Sequence, residues 1–289
     1  MSVVFATIVP VFSIVALGYW IASRREMHLP TLSDLTILIA SPCLMFSVLS
    51  GADVDLGRWS TLFGAAVFTM LATGGIALLY SRTAGGHRHG IVLAAVFWNS
   101  GNMGLACARL AFGPEGLASA AILYVTVAIF TSSVGIWIAK GENGFDEVLK
   151  MPLFYASVGG LALGVAEVEL PRMLMEPIEM VGATAIPLML LNLGFQLRRL
   201  EVDDVRHALA AVGIRVVGGF ACMLLFVELF DVRGVDAQVM MLHSVMPAAV
   251  INVVFAQRYD RDPALVASAI VIGTLLSLVT IPAVLLWVS

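Results

Sequence analysis

Trp98-Asn99-Ser100-Gly101-Asn102-Met103-Gly104 places two amides, a hydroxyl and two glycines inside an apolar run from about Gly90 to Phe112. A run of that length suits a membrane crossing of roughly 20 residues, yet its middle opposes both helix and lipid. The chain is therefore expected to break there. Unwound backbone at membrane depth is stable only where protein encloses it or a watery cavity faces it, because lipid offers its N–H and C=O groups no partner. The second half of a broken helix begins with free N–H groups and the positive end of the helix dipole, a setting that holds an anion. Asn99, Ser100 and Asn102 could donate to a carboxylate, while Gly101 and Gly104 let backbone come close. The same amides also serve as caps or as glue between helices, and both readings stand at this stage.

A second break is expected by internal repetition. Pro114-x-x-x-Ala118-Ser119-Ala120 recurs 149 residues later as Pro263-x-x-x-Ala267-Ser268-Ala269. The same offset carries Trp98 onto Pro247, which makes Pro247, Ala248 and Asn252 candidates for the partner half of a site. Pro42 and Pro187 lie 145 residues apart, each with an acid eight residues earlier, Asp34 and Glu179. Phe46 and Asn192 follow these prolines and could line the facing wall, with packing the competing role for Phe46. His243 lies one helical turn before Pro247 and titrates near neutral pH, so it offers proton coupling or, more simply, a hydrogen bond. Arg215 falls inside an apolar segment and calls for a partner such as Asp34, Glu179 or Glu228, whereas Arg109 lies near a span end and can snorkel.

The elements that would position these residues are ten apolar segments. They run Val3–Ile21, Leu32–Ser50, Trp59–Tyr80, Gly90–Phe112, Leu117–Ile138, Met151–Ala166, Met173–Leu197, Val205–Phe230, Val235–Ala256 and Ala264–Val288. Of 289 residues, 60% are hydrophobic and 12% charged, about half the charged share of a soluble domain, so the chain reads as an all-α polytopic membrane protein. Eleven of the sixteen Lys and Arg fall in links after odd-numbered segments and three in the opposite links, which puts both termini outside the cell membrane. Arg24 and Arg25 follow the first segment instead of preceding it, so it is expected to be retained as a span. The net charge of −4 carries no basic stripe, which argues against nucleic acid. Cys43, Cys107 and Cys222 lack ligand spacing, and no metal or cofactor is expected.

Each half, 1–139 and 151–289 around a cytoplasmic link at 140–150, holds five segments. An odd number forces the halves into opposite orientations, the inverted-repeat plan of secondary transporters, with broken helices 4 and 9 crossing at the midplane. Asn99-Ser100-x-x-Met103-Gly104, Pro247, and Val254-Phe255-Ala256-x-x-Tyr259 with Pro263 resemble the two crossover regions of the auxin efflux carrier family, which is distantly similar in fold to bile acid/sodium symporters. The resemblance covers nearly the whole chain. It implies a scaffold of helices 1, 2, 6 and 7, a moving transport domain of helices 3–5 and 8–10, a substrate between them with Asn99 at a binding position, and a homodimer through the scaffold. Trp98 and Ala106 stand where the plant carriers have prolines, and the 140–150 link replaces their long loop, so auxin itself does not carry over.

The expected function is alternating-access efflux of a small organic anion. Two other classes compete: an intramembrane hydrolase using Ser100 with His243, which lacks a surrounding catalytic signature, and a channel, which needs a continuous polar lining that the sequence does not offer. A primary pump is excluded by the absence of a phosphate-binding loop. No carboxylate or amide flanks Met246-Pro247-Ala248 to hold sodium, which leaves uniport or proton coupling.

Overall fold

In a computed structural model, residues 2–26, 28–52, 55–84, 87–141 and 144–288 are described. Residues 142 and 143 of the expected link, and the end residues 1 and 289, lie outside them. Every extended regular element among the described residues is helical. The helices are α1 (Ser2–Arg24), α2 (Leu29–Ser50), α3 (Leu56–Ser81), α4 (Arg88–Val96), α5 (Ser100–Lys140), α6 (Pro152–Val165), α7 (Arg172–Arg199), α8 (Val205–Leu229), α9 (Gly234–Ser244), α10 (Ile251–Arg258) and α11 (Pro263–Val288).

Seven of these are long and apolar enough to cross a membrane: α1, α2, α3, α5, α7, α8 and α11. The remaining helices are short for physical reasons visible in the sequence. The fourth and ninth apolar segments are divided at Phe97–Asn99 and at Val245–Val250, so neither half spans alone. The sixth forms a helix of only 14 residues. The fourth and fifth segments run together as α5, bent at Gly113, whose φ of 69° and ψ of −154° lie outside the helical region and suit glycine. Pro114 then opens the next turn without a helical N–H to satisfy.

Close approach at small residues sets the packing. A Cβ on Gly18 of α1 would meet Leu191 O of α7, and one on Gly194 would meet Val15 O, so these two helices touch backbone to backbone. A Cβ on Gly160 of α6 would lie 2.7 Å from Phe46 O, and one on Gly182 of α7 would lie 2.8 Å from Leu44 N, which joins α2 to both. A second group forms around α4, packed by α3, α8 and α11, with α9 against α5. Outward faces stay apolar, with Leu71, Leu79, Val217 and Leu275 exposed, as lipid requires and water would penalise.

Candidate functional site

The two divided segments meet. Asn99 N–H donates to Pro247 O at 2.8 Å and Ala249 N–H donates to Phe97 O at 2.9 Å, so Trp98 and Ala248 pair as a single antiparallel bridge. Each unwound stretch thereby supplies the hydrogen bonds the other lacks, which is what buried non-helical backbone needs. Trp98, Met246 and Ala248 are buried around the bridge.

Asn252 completes this frame. It is fully buried, and its side-chain amide donates at 2.9 Å to both Leu93 O and Phe97 O, carbonyls left open where α4 ends. Arg215 of α8 does the same work with a charge. At 1% exposure it donates to Ala95 O and Val96 O at 3.3 Å and to Ser244 O at 3.2 Å, the C-terminal carbonyls of α4 and α9. Its guanidinium carbon lies 4.9 Å from the centre of the Trp98 ring. A side chain at Gly219, one turn on, would collide with that guanidinium. The acid partner expected from the sequence is replaced by these carbonyls: Glu228 pairs with Arg233, Glu179 lines an outer cavity, and Asp34 is exposed. A cation on the negative ends of two helices is electrostatically matched without an acid.

The α5 side of the break is built from small residues. A Cβ on Gly101 would lie 2.8 Å from the Tyr124 ring, and one on Gly104 would lie 2.6 Å from Cε1 of His243. His243 is fully buried, with Nδ1 3.4 Å from Trp98 Nε1. Ser100 is 3% exposed, and no hydrogen bond among the described residues joins it to His243. Asn99 is 4% exposed; its Oδ1 accepts from Asn102 N–H at 3.1 Å, while its Nδ2 is buried with no partner. The cap is thus made by Asn99, and Asn102, half-buried, is the residue being capped.

The other two candidates lie on α7 and α2. Asn192 of α7 exchanges hydrogen bonds with Ser33 Oγ at 3.1 and 3.5 Å, which ties α7 to α2. Phe46 lays its ring beside Gly159 of α6, where a Cβ would sit 3.5 Å away. A cavity of about 900 Å³ opens between α1, α2 and α7 on one side and α5 on the other, lined by Leu44, Ser47, Ala106, Arg109, Glu179 and Leu190 among others. None of the eleven candidates lines it. The cavity stops at Ala106, within two turns of Asn99.

Sequence reasoning missed the cavity's polar rim. Arg58 donates to Asp236 at 2.7 and 2.9 Å and to Ser119 Oγ at 3.0 Å, and Ser119 Oγ donates to Asp236 at 2.6 Å. This clamp joins α3, α5 and α9, and the recurring Ala-Ser-Ala triplets were its one signal. Arg109 is exposed on the cavity wall and makes no ion pair among the described residues.

The chain matches the Membrane transport protein family over residues 3–148 and 145–285. It is 30% identical to an uncharacterized transporter of Methanothermobacter thermautotrophicus over 96% of this chain and 95% of that one. An uncharacterized transporter of Methanocaldococcus jannaschii is 25% identical over 94% of each. Auxin efflux carrier component 1 of Arabidopsis thaliana is 24% identical over 46% of this chain and 22% of its own length. These relatives are transporters and not enzymes, which removes the hydrolase reading. With two helix breaks closed on each other in an apolar helical protein, and family matches from end to end, the chain is a membrane transporter of the auxin efflux carrier family.

Proposed function

We propose that the protein is a secondary transporter that exports a small carboxylate by an elevator-like, alternating-access movement. The observation that carries the substrate class is the charge balance at the paired breaks. Four helix ends converge there. Arg215 covers the two negative ends, at Ala95-Val96 and Ser244, while the positive ends that open α5 and α10 carry no acid in their first turns. Asn99 Nδ2, a buried donor without a partner, sits at the first of these. A carboxylate there completes the balance and takes up the donor. On this reading Asn99, Ser100, Asn102 and the Gly101 and Gly104 backbone meet substrate, Pro247, Ala248 and Asn252 hold the frame, and Phe46 and Asn192 belong to the facing wall. The fixed guanidinium also does what a bound sodium ion would do for the negative ends, which favours transport without sodium. His243 remains the candidate for proton coupling.

The architecture supports this reading. Dividing α5 at Gly113 and counting α6 and the two broken segments gives ten crossings, in two oppositely oriented sets of five. The glycine-zipped group of α1, α2, α6 and α7 serves as scaffold, and the rest moves against it, with the 900 Å³ cavity as the outward-facing space between them. Both termini lie outside, and apolar scaffold faces such as Phe5, Val9, Trp20 and Met180 suit a homodimer. Export is the direction named for the Arabidopsis relative. Uptake of a carboxylate panel into proteoliposomes, with and without sodium and proton gradients, tests the proposal. Saturable carboxylate transport indifferent to sodium is the expected result, and transport of only cationic or neutral solutes would overturn it.

A further inference from the structure

Three chain segments far apart in sequence bring two imidazoles and two carboxylates together at the end of the molecule opposite the outer cavity. His87 precedes α4, Asp204 and His207 open α8, and Asp262 precedes α11. His87 Nδ1 lies 2.9 Å from Asp262 Oδ1, and His207 Nδ1 lies 3.1 Å from both oxygens of Asp204. The imidazole centres are 4.4 Å apart. All four residues are only half-buried, so the cluster is open to solute.

The structure assigns this cluster as a binding site for a divalent transition metal of the zinc class. Asp262 accepts from His87, so His87 Nδ1 carries the proton and its Nε2 keeps the lone pair a metal requires, while His207 Nδ1 and an Asp204 oxygen, 3.1 Å apart, stand at the spacing of two ligands on one metal. A carboxylate behind a histidine is also the usual outer support of a zinc ligand. Asp262 fills that role rigidly, because its other oxygen accepts from Gly90 N–H at 3.2 Å and a Cβ built on Gly90 would lie 2.6 Å from Asp262 Cβ. Ligand-capable atoms of His87, Asp204 and His207 all lie within 4.8 Å of one another. Around one tetrahedral zinc such atoms stand about 3.3 Å apart, a closure that rotation of half-buried side chains supplies. Two imidazoles and a carboxylate select zinc, copper or nickel over magnesium and calcium. Three ligands leave a fourth position for water. The residues are 117 and 3 positions apart in the chain, a spacing that no short metal motif has, so the site is not visible in the sequence.

If the two-body reading above holds, the site has a consequence for movement. Residues 200–204 are the link by which the chain leaves α7 for α8, and Asp203 N–H is tied to Ser268 Oγ of α11 at 3.0 Å. A metal on Asp204 and His207 would fix the moving-body end of that link to α4. The binding test does not depend on it. Protein purified without a histidine tag and stripped with chelator is titrated with zinc and, separately, magnesium, reading heat and melting temperature. One zinc per chain with a rise of several degrees, no response to magnesium, and at least tenfold weaker zinc binding in His87→Gln and in His207→Gln are expected. X-ray absorption of the zinc-loaded wild type should show imidazole scattering from two histidines, a readout that survives a variant that fails to fold. Sub-stoichiometric zinc, undiminished binding in both variants, or a metal shell without imidazole would overturn the assignment. Failure of carboxylate transport would leave these outcomes unchanged.

Discussion

The two breaks look alike on paper and are unlike in the molecule. The first, between α4 and α5, ends with a buried amide nitrogen on Asn99 that has no partner, and it is floored by Gly101 and Gly104. The second, between α9 and α10, has its own amide, Asn252, but both hydrogens of that amide are spent on carbonyls of the first break. One break is held and the other does the holding. Two similar breaks can thus differ in where one amide points, and on the proposed reading the anion is bound by the break whose donor is left over.

The sharpest way to break the comparison is to remove what serves both sides. Arg215→Met leaves three carbonyls without a donor and uncovers two negative helix ends, which should cost about 3–5 kcal/mol and lower the melting temperature far more than any surface change. Asn252→Ala comes next. It removes a donor from Leu93 O and from Phe97 O, the latter keeping its bond from Ala249 N–H, and the cost should be about 1–3 kcal/mol, read as thermal or denaturant stability, with binding lost only as folding is lost. Should Asn252→Ala instead keep full stability and lose affinity, the roles assigned to the two breaks would be reversed.

Gly104→Ala tests the floor of the first break. Its added carbon would press on His243 Cε1, an overpacking worth about 1–3 kcal/mol that His243→Ala should relieve in the double variant. Additive losses in that cycle would show the two sites uncoupled. Arg109→Gln is expected to have the smallest effect, leaving stability within about 0.5 kcal/mol, since the side chain is exposed and unpaired. It should slow entry of an anion at low salt and much less at high salt, because an exposed charge acts through a screened field.

Much of this was legible in the sequence because it rested on strong local signals. Asn, Ser and Gly inside an apolar run, and a proline at the repeat offset, located both breaks, and apolar length located the seven helices long enough to span, though ten segments were expected. The partners were not legible. Arg215 looked like a charge in need of an acid, since pattern alone does not reveal that two helix C-termini converge on it from α4 and α9. Which of Asn99 and Asn102 makes the cap was not legible either, because capping depends on which residue leaves the helical region, here Asn99 with φ −77° and ψ 64°. The His87–Asp262 and Arg58–Asp236 contacts join residues more than 170 positions apart, beyond any local reading.

Asn99 carries the proposed site most directly, because its oxygen caps Asn102 while its buried nitrogen has no partner and is the donor proposed to meet substrate. Asn99→Ala removes both functions, whereas Asn99→Asp keeps an oxygen for the cap and replaces the free donor with a group that repels a carboxylate. Binding of a transported carboxylate to both variants, measured beside their melting temperatures, separates the two. Asn99→Ala should bind about tenfold or more weakly, about 1.5–3 kcal/mol for a bond to a charged group. Asn99→Asp should lose at least as much affinity while its stability stays at or above that of Asn99→Ala. Affinity equal to wild type in Asn99→Asp, or losses in both variants that simply follow their melting temperatures, would contradict the claim that the spare amide of the first break binds the anion.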